Sequence, residues 1–312
     1  MKLPKLLTTR LQTILGSDYE STIEAFSHER IGSFRINTLL GDGVDVFTEF
    51  SEKGIITTPF AGLEGVYTFD RVHEYAIKGT RAFYDGKIYL QSIASMLPVL
   101  ALDPEPGEMV LDVCAAPGSK TTQLAMLMEN TGLITAIEQN QIRYDRLMHN
   151  CELQGATIVE GEKTDARNYL DSTSTKFDRI LIDAPCSAEG RIHLDNEKSY
   201  GFWSLDNIAK KAALQQSLLS LAYAHLSRGG TLVYSTCTLA PEENEGVISD
   251  FLAAHADATL MPIDLGLSDA KWWKCGLTEF GATRYDEEIS HTVRILPSGE
   301  TEGFYMARIK KI

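Results

Sequence analysis

The chain has 312 residues, 44% of them hydrophobic and 23% charged, which excludes a disordered or fibrous protein and leaves room for one large domain with a smaller companion. Its 29 basic and 43 acidic side chains give a net charge of −14, so any nucleic-acid contact must rely on a local basic patch. No apolar run approaches the roughly 20 residues of a membrane span, and Met1–Lys5 lacks the apolar core of a secretory leader, so the expectation is a cytoplasmic enzyme without a membrane partner.

Residues 1–86 predict a small α+β domain that contacts the substrate: a helical start, then short strands such as Ser33–Thr38, with Gly41 and Gly43 in turns. The segment around Lys87–Gln91 leads into a second domain, residues 87–312. There, short β-branched runs alternate with helical patterns. Strands are predicted at 109–114, 133–138, 157–159, 177–183 and 231–236. Helices are predicted at 120–128 and near 141–153, 207–226 and 242–254, with Gly229-Gly230 marking the end of the third. This alternation implies a mostly parallel, Rossmann-like α/β sheet covered by helices on both faces. Val293–Pro297 and Gly303–Ile309 read as an antiparallel hairpin added to it.

Five cysteines, at 114, 151, 186, 237 and 275, lie at least 35 residues apart, so no C-x-x-C metal knuckle is present and no metal is expected. Cys151 and Cys275 read as small buried hydrophobes. Nothing points to an obligate protein partner.

Ligands of open parallel sheets bind at the carboxyl ends of the strands. The first strand ends in Cys114, Ala115, Ala116, Pro117, Gly118, Ser119 and Lys120, mostly small residues that let a ligand approach the backbone. The second ends in Glu138, 20 residues after Gly118, the spacing of an acid that accepts ribose hydroxyls. Gly-x-Gly-x-x-Gly and Walker A sequences are absent, so a nucleoside without phosphates, such as S-adenosyl-L-methionine (SAM), fits better than NAD or ATP. Asp165, just past the third strand, could meet an adenine amino group.

Asp183-Ala184-Pro185-Cys186-Ser187 closes the fourth strand and Ser235-Thr236-Cys237-Thr238 the fifth, which would bring two thiols to the cofactor edge. Such a pair suits methylation at C5 of cytosine. Thiolate addition to C6 makes C5 nucleophilic, and a second acid–base group then helps to expel the thiol. Asp183 is placed to steady the exocyclic amine and N3. A phosphatase loop is set aside, because Cys186 precedes Arg191 by five residues, one short of C-x5-R.

These motifs resemble the RsmB/RsmF/Sun-type RNA 5-methylcytosine methyltransferases. Asp112–Thr121 is similar to their D-x-C-A-A-P-G-G-K-T, Asp183–Ser187 to D-A-P-C-S and Ser235–Thr238 to S-T-C-S/T. Similarity extends to Arg35–Thr38, Gln91-Ser92, Pro241–Glu245, Arg294–Pro297 and Gly303-Phe304, covering about residues 30–311. The resemblance implies Cys237 as nucleophile and Cys186 as the release residue, with Asp183 and Lys120 at the cytosine. It also implies SAM held by residues 114–120, Glu138, Asp165, Asp183 and Arg143, and ribosomal or transfer RNA as the partner. DNA methyltransferases use a Pro-Cys nucleophile, equivalent here to Cys186, so Thr236-Cys237 favours the RNA family.

Three departures stand out. Ser119 replaces a glycine, which the loop accepts if φ there is negative. Residues 297–303 lack a histidine after the proline and carry Glu302 for an aspartate. The stretch 192–203 brings Tyr200, Phe202 and Trp203, which either stack on bases or pack the core.

Overall fold

The computed structural model describes residues 3–312. The chain opens with helices α1 (Lys5–Leu15) and α2 (Tyr19–Ser27). Leu7, Leu11, Ile14 and Leu15 form one buried face of α1, at the spacing of helical turns. That face joins the apolar cluster of the large domain rather than that of the small sheet, so the chain's first elements serve the second domain.

The small sheet contains β1 (Gly32–Ile36), β2 (Thr58–Pro59), β3 (Val66–Phe69) and β4 (Ile88–Leu90), ordered β2-β3-β1-β4 and antiparallel throughout. Helix α3 (Val44–Glu52) and the short α4 (Glu74–Lys78) and α5 (Arg81–Tyr84) complete this unit around Phe34, Phe50, Phe69 and Ile77. Its last strand runs past residue 87 and leads directly into helix α6 (Ile93–Leu102). The sequence showed α6 only as an apolar run, because it is buried nearly all round and has no polar face to betray a period.

On the other face of β1, Arg35 is buried and points into the large domain. It donates to Gln91 Oε1 at 3.0 Å and Thr122 Oγ1 at 2.8 Å. Burial lowers its pKa to about 10. Asn37 donates to the carbonyls of Gly86 and Gln154, both at 2.9 Å. Together these residues rivet the small sheet to its neighbour.

The large sheet holds β5 (Met109–Asp112), β6 (Leu133–Ile137), β7 (Val159–Glu162), β8 (Phe177–Asp183), β9 (Leu226–Thr236), β10 (Ala258–Met261), β11 (Trp273–Cys275), β14 (Val293–Ile295) and β15 (Phe304–Lys311). A separate hairpin, β12 (Glu279–Phe280) with β13 (Thr283–Arg284), lies off it. Strand order is β11-β14-β15-β9-β8-β5-β6-β7, with β10 on the far end of β15. Strands β5 to β9 pair in parallel, and β9, β15, β14 and β11 pair antiparallel. This is the expected Rossmann-like sheet with its terminal hairpin. Alternate side chains enter opposite apolar layers, Val110, Leu181 and Val233 on one face and Leu111, Ile180 and Leu232 on the other. Helices α7 (Ser119–Leu127), α8 (Gln141–Leu153), α9 (Ala166–Ser172), α10 (Leu205–Ala224) and α11 (Glu245–Ala254) cover the sheet.

Three local expectations need correction. Strand β7 begins at Val159 rather than Thr157 and runs to Glu162, its edge position leaving Glu160 and Glu162 exposed. Gly229-Gly230 does not end a helix. Helix α10 stops at Ala224, and a Cβ on Gly230 would come within 2.8 Å of the Asp178 carbonyl, so the glycine permits close approach of β9 to β8. Cys275 is exposed on an edge strand, whereas Cys151 is buried as expected.

The start of α11 is locked by a buried ion pair. Arg294 of β14 meets both carboxylate oxygens of Glu245 at 2.5 and 2.6 Å and donates to the Leu239 carbonyl at 3.0 Å. Bidentate geometry offsets the desolvation of both charges, but removing one leaves the other stranded. Glu245→Gln is expected to lower unfolding free energy by about 3–5 kcal/mol, read from urea denaturation. A loss below about 1 kcal/mol would mean that the pair behaves like an exposed one.

Candidate active site

Strand order reverses at β5, whose neighbours are β6 and β8, and the carboxyl ends of these strands open into a cleft of about 640 Å³. Cys114–Pro117, Ser119, Lys120, Glu138, Arg143, Asp165, Asp183, Cys186 and Cys237 all line it. Gly118 stands just behind, with φ +101° as N-cap of α7 and the Leu147 carbonyl 3.3 Å from where a Cβ would lie. Ser119 begins that helix, so it takes the negative φ a serine accepts. The candidate residues, scattered over 124 positions from Cys114 to Cys237, are thus brought together.

The thiols owe their meeting to strand register. Asp183 of β8 lies opposite Ser235 of β9, and Ala184 N–H donates to the Ser235 carbonyl at 2.8 Å. Three residues on from Asp183 and two on from Ser235, the sulfurs of Cys186 and Cys237 are 3.3 Å apart. Contact with Cys237, then burial, pushes the Cys186 pKa well up.

A polar scaffold fixes both loops from behind. Buried Glu243 accepts from the Ser187 N–H at 3.0 Å, from the Ser187 hydroxyl and from Gln215 at 2.9 Å. The Ser187 and Thr238 hydroxyls are 2.7 Å apart, and Asn244 pairs with Thr236 and the Thr238 carbonyl. Burial raises the Glu243 pKa to about 7. Gly190 N–H donates to the Cys237 carbonyl at 3.0 Å, and Gly303 N–H to the Gly190 carbonyl at 2.9 Å. A Cβ on Gly190 would fall 2.1 Å from the Gly303 carbonyl oxygen, so that chain crossing requires glycine.

Lys120 and Asp183 form one unit. The ammonium donates to Asp183 Oδ2 at 2.7 Å and Ser95 Oγ at 2.9 Å, and lies 5.4 Å from the Phe304 ring centre. Ser235 Oγ donates to the other Asp183 oxygen at 3.1 Å. The carboxylate is thereby oriented, with about a third of its side chain open to the cleft.

At the opposite end, Glu138 is buried and accepts from Asn140 N–H at 2.8 Å. Arg143 lies 3.3 Å from its other oxygen and donates to the Ala116 carbonyl at 2.7 Å, clamping the loop that holds the cis Ala116–Pro117 peptide. Asp165 caps α9 and pairs with Arg167 at 2.7 Å. Burial pushes the Cys114 thiol up, so it stays neutral.

Of the three aromatics, Tyr200 is buried, and Trp203 is half-buried against the core, donating to Glu189 at 2.7 Å. Phe202 is 55% exposed. Sequence reasoning missed Ser95, Phe304, Arg30, Arg71 and Arg191, all on the cleft wall. Glu302 was noted only as a departure. It is buried, accepting from Ser92 at 2.6 Å and pairing with Arg191 at 3.0 Å. Among the described residues no cluster suited to a metal ion is found, and no helix is long and apolar enough to cross a membrane.

The family model for the 16S rRNA methyltransferase RsmB/F matches residues 99–310. A tRNA (cytosine(49)-C(5))-methyltransferase of Pyrococcus abyssi is 38% identical over 89% of this chain and 88% of its own. Ribosomal RNA small subunit methyltransferase F of Escherichia coli is 36% identical over 99% of this chain, which spans only 63% of that relative. Among solved structures, a methyltransferase homologue from Pyrococcus horikoshii superposes with a TM-score of 0.87 at 34% identity, covering 99% of this chain and 95% of its own. The chain belongs to the RsmB/F methyltransferase family.

Asp112, beneath the loop, has one oxygen satisfied by Thr121 at 2.8 Å and the other without a partner. Burial raises its pKa from 3.8 to about 7. Because the folded value exceeds the unfolded one, its favourable contribution is full below about pH 4 and is lost as pH rises through about 7. Urea unfolding at several pH values should show wild type losing up to about 1.4 kcal/mol per pH unit relative to Asp112→Asn across this window. Parallel profiles for the two proteins would refute the assignment.

Proposed function

We propose that this member of the RsmB/F family transfers the methyl group of SAM to C5 of a cytosine in RNA, through an adduct between Cys237 and C6 of the base. The observation that carries the reading is the pair of thiols 3.3 Å apart in the same cleft as Glu138, Asp183 and the 114–120 loop. The names of the relatives, which act on transfer or ribosomal RNA, support the substrate class.

The residues present suit SAM. The buried Glu138 carboxylate at the end of β6 fits ribose hydroxyls, Asp165 fits the adenine amino group, and the small residues of the loop admit the ligand's body. Asp183 closes the seat on the substrate side. Arg143 contributes by fastening Glu138 and the Ala116 carbonyl. When bound, SAM supplies an electrophilic methyl group.

This chain's residues do the rest. Cys237 adds through its thiolate to C6, which makes C5 electron-rich. Asp183, held by Lys120 and Ser235, accepts from the exocyclic amine, and Lys120 steadies charge that develops on the ring. After transfer, the C5 proton passes to water in the cleft, the C5–H electron pair re-forms the C5=C6 bond, and the C6–S bond breaks to release Cys237 as thiolate. The Cys186 S–H donates to the departing sulfur and stabilises it, the two sulfurs being in contact. Reaching the base requires it to be unstacked from its RNA.

Tritiated methyl transfer to unmodified RNA, fractionated into ribosomal and transfer pools, tests the reading. Wild type should deposit 5-methylcytosine in one pool, and Cys237→Ala should lower the rate by at least about 10³-fold. Cys186→Ala should instead accumulate an RNA–protein adduct that survives denaturing electrophoresis. Full activity in Cys237→Ala, or an adduct-free Cys186→Ala with normal turnover, would reassign the roles.

A further inference from the structure

A second cleft, of about 770 Å³, adjoins the first and runs between the small sheet and α8. The two share a wall that includes Arg30, Arg71 and Glu302. Arg71 donates to the Arg30 carbonyl at 2.9 Å, so the two residues are tied side by side. Arg191 approaches from the thiol side, anchored to Glu302. The Arg30 guanidinium is half-buried and makes no hydrogen bond or ion pair among the described residues. Its neighbours are one attracting carboxylate, Glu302, and two repelling cations, Arg191 and Arg71.

Arg191 pairs with the one buried carboxylate, Glu302, and Arg71 pairs with Glu74, so Arg30 is left as the unbalanced cation of the group on a chain of net charge −14. Holding an unpaired arginine half out of water beside like charges is unfavourable unless an anion completes the set. A nucleotide in the thiol cleft is part of a polymer, so its strand must leave through an opening. The shared wall is where such a strand would pass.

We propose that Arg30 and Arg71 seat a backbone phosphate flanking the target nucleotide, and that the adjoining RNA strand continues along the second cleft past Arg146. This rests on the RNA methyltransferase reading above. Arginine suits the task, since its planar fork meets phosphate oxygens bidentately. The site specifies no base. It fixes how the strand lies, as phosphate contacts generally do.

The test varies RNA concentration in the tritiated methyl transfer assay, with unmodified total RNA as the probe, at several salt concentrations. Wild type is compared with Arg30→Gln, Arg71→Gln and the double variant, and SAM affinity is followed by calorimetry. Each single variant should raise the RNA KM roughly 3- to 10-fold, leaving kcat and SAM affinity at wild-type values. The double variant should flatten the log–log dependence of kcat/KM on salt by about 0.7, the value for one phosphate contact on a single strand. RNA methylation with KM and salt slope unchanged would overturn the phosphate seat and leave the functional reading intact. Absence of methylation of any RNA by wild type would overturn both.

Discussion

The parallel register of β8 on β9 is the constraint on which the rest of the site depends. With Asp183 opposite Ser235, the chain leaves two neighbouring strands at the same height. The next few residues of each can then place a sulfur within 3.3 Å of its counterpart. A slip of one residue would send Asp183 to the other face of the sheet and separate it from both Lys120 and Ser235. The register is enforced by alternation, since Ile180 and Ile182 enter one apolar layer and Leu181 the other. Packing on both faces therefore sets the reactive geometry.

The loops beyond the strand ends have no ladder to hold them, and three consecutive residues at the entry to α11 take over. Glu243 binds the loop after Cys186, Asn244 binds the loop around Cys237, and Glu245 anchors the group to Arg294 of β14. Each is buried. Buried polar groups of this kind are tolerated only when nearly every lone pair is used, and that saturation makes the arrangement rigid. The small sheet is fixed in a related way, through Arg35, Asn37 and Gln91. Its edge thereby becomes a wall of the catalytic cleft.

The central sheet was legible because parallel strands buried on both faces read as short continuous apolar runs, as in Ile180–Ile182 and Leu232–Tyr234. Helix α6 was not, because it is apolar nearly all round and contains Pro98. The role of α1 and α2 as cover for the large domain was equally hidden, since an amphipathic helix does not declare which core it joins. That the 114–120 loop, Glu138, Asp183, Cys186 and Cys237 would share one cleft was legible because they cluster in short motifs at strand ends. Arg30, Arg71 and Arg191 were not, because they come from three distant segments that only the folded chain unites. Tyr200 and Trp203 show the converse, aromatics whose sequence context suited base stacking equally well and which the fold packs into or against the core.

The acidity of the chain and the closeness of its thiols pose related electrostatic problems. Two sulfurs at 3.3 Å cannot both ionise without strong mutual repulsion, so at most one of them carries a charge. Contact with Cys237 and burial push the Cys186 thiol up. Arg191 stands close enough for both sulfurs and Asp183 to act on its charge, and its anchor Glu302 keeps it there. The positive field facing the reactive sulfur thus comes from a residue at the edge of the arginine cluster. In this arrangement a cation that steadies the thiolate also lies beside the proposed path of the RNA backbone. Local charge placement of this kind lets a strongly acidic chain hold an arginine against an anion, because at physiological salt the field of distant carboxylates fades within about 8 Å of solvent while contacts within the cleft do not.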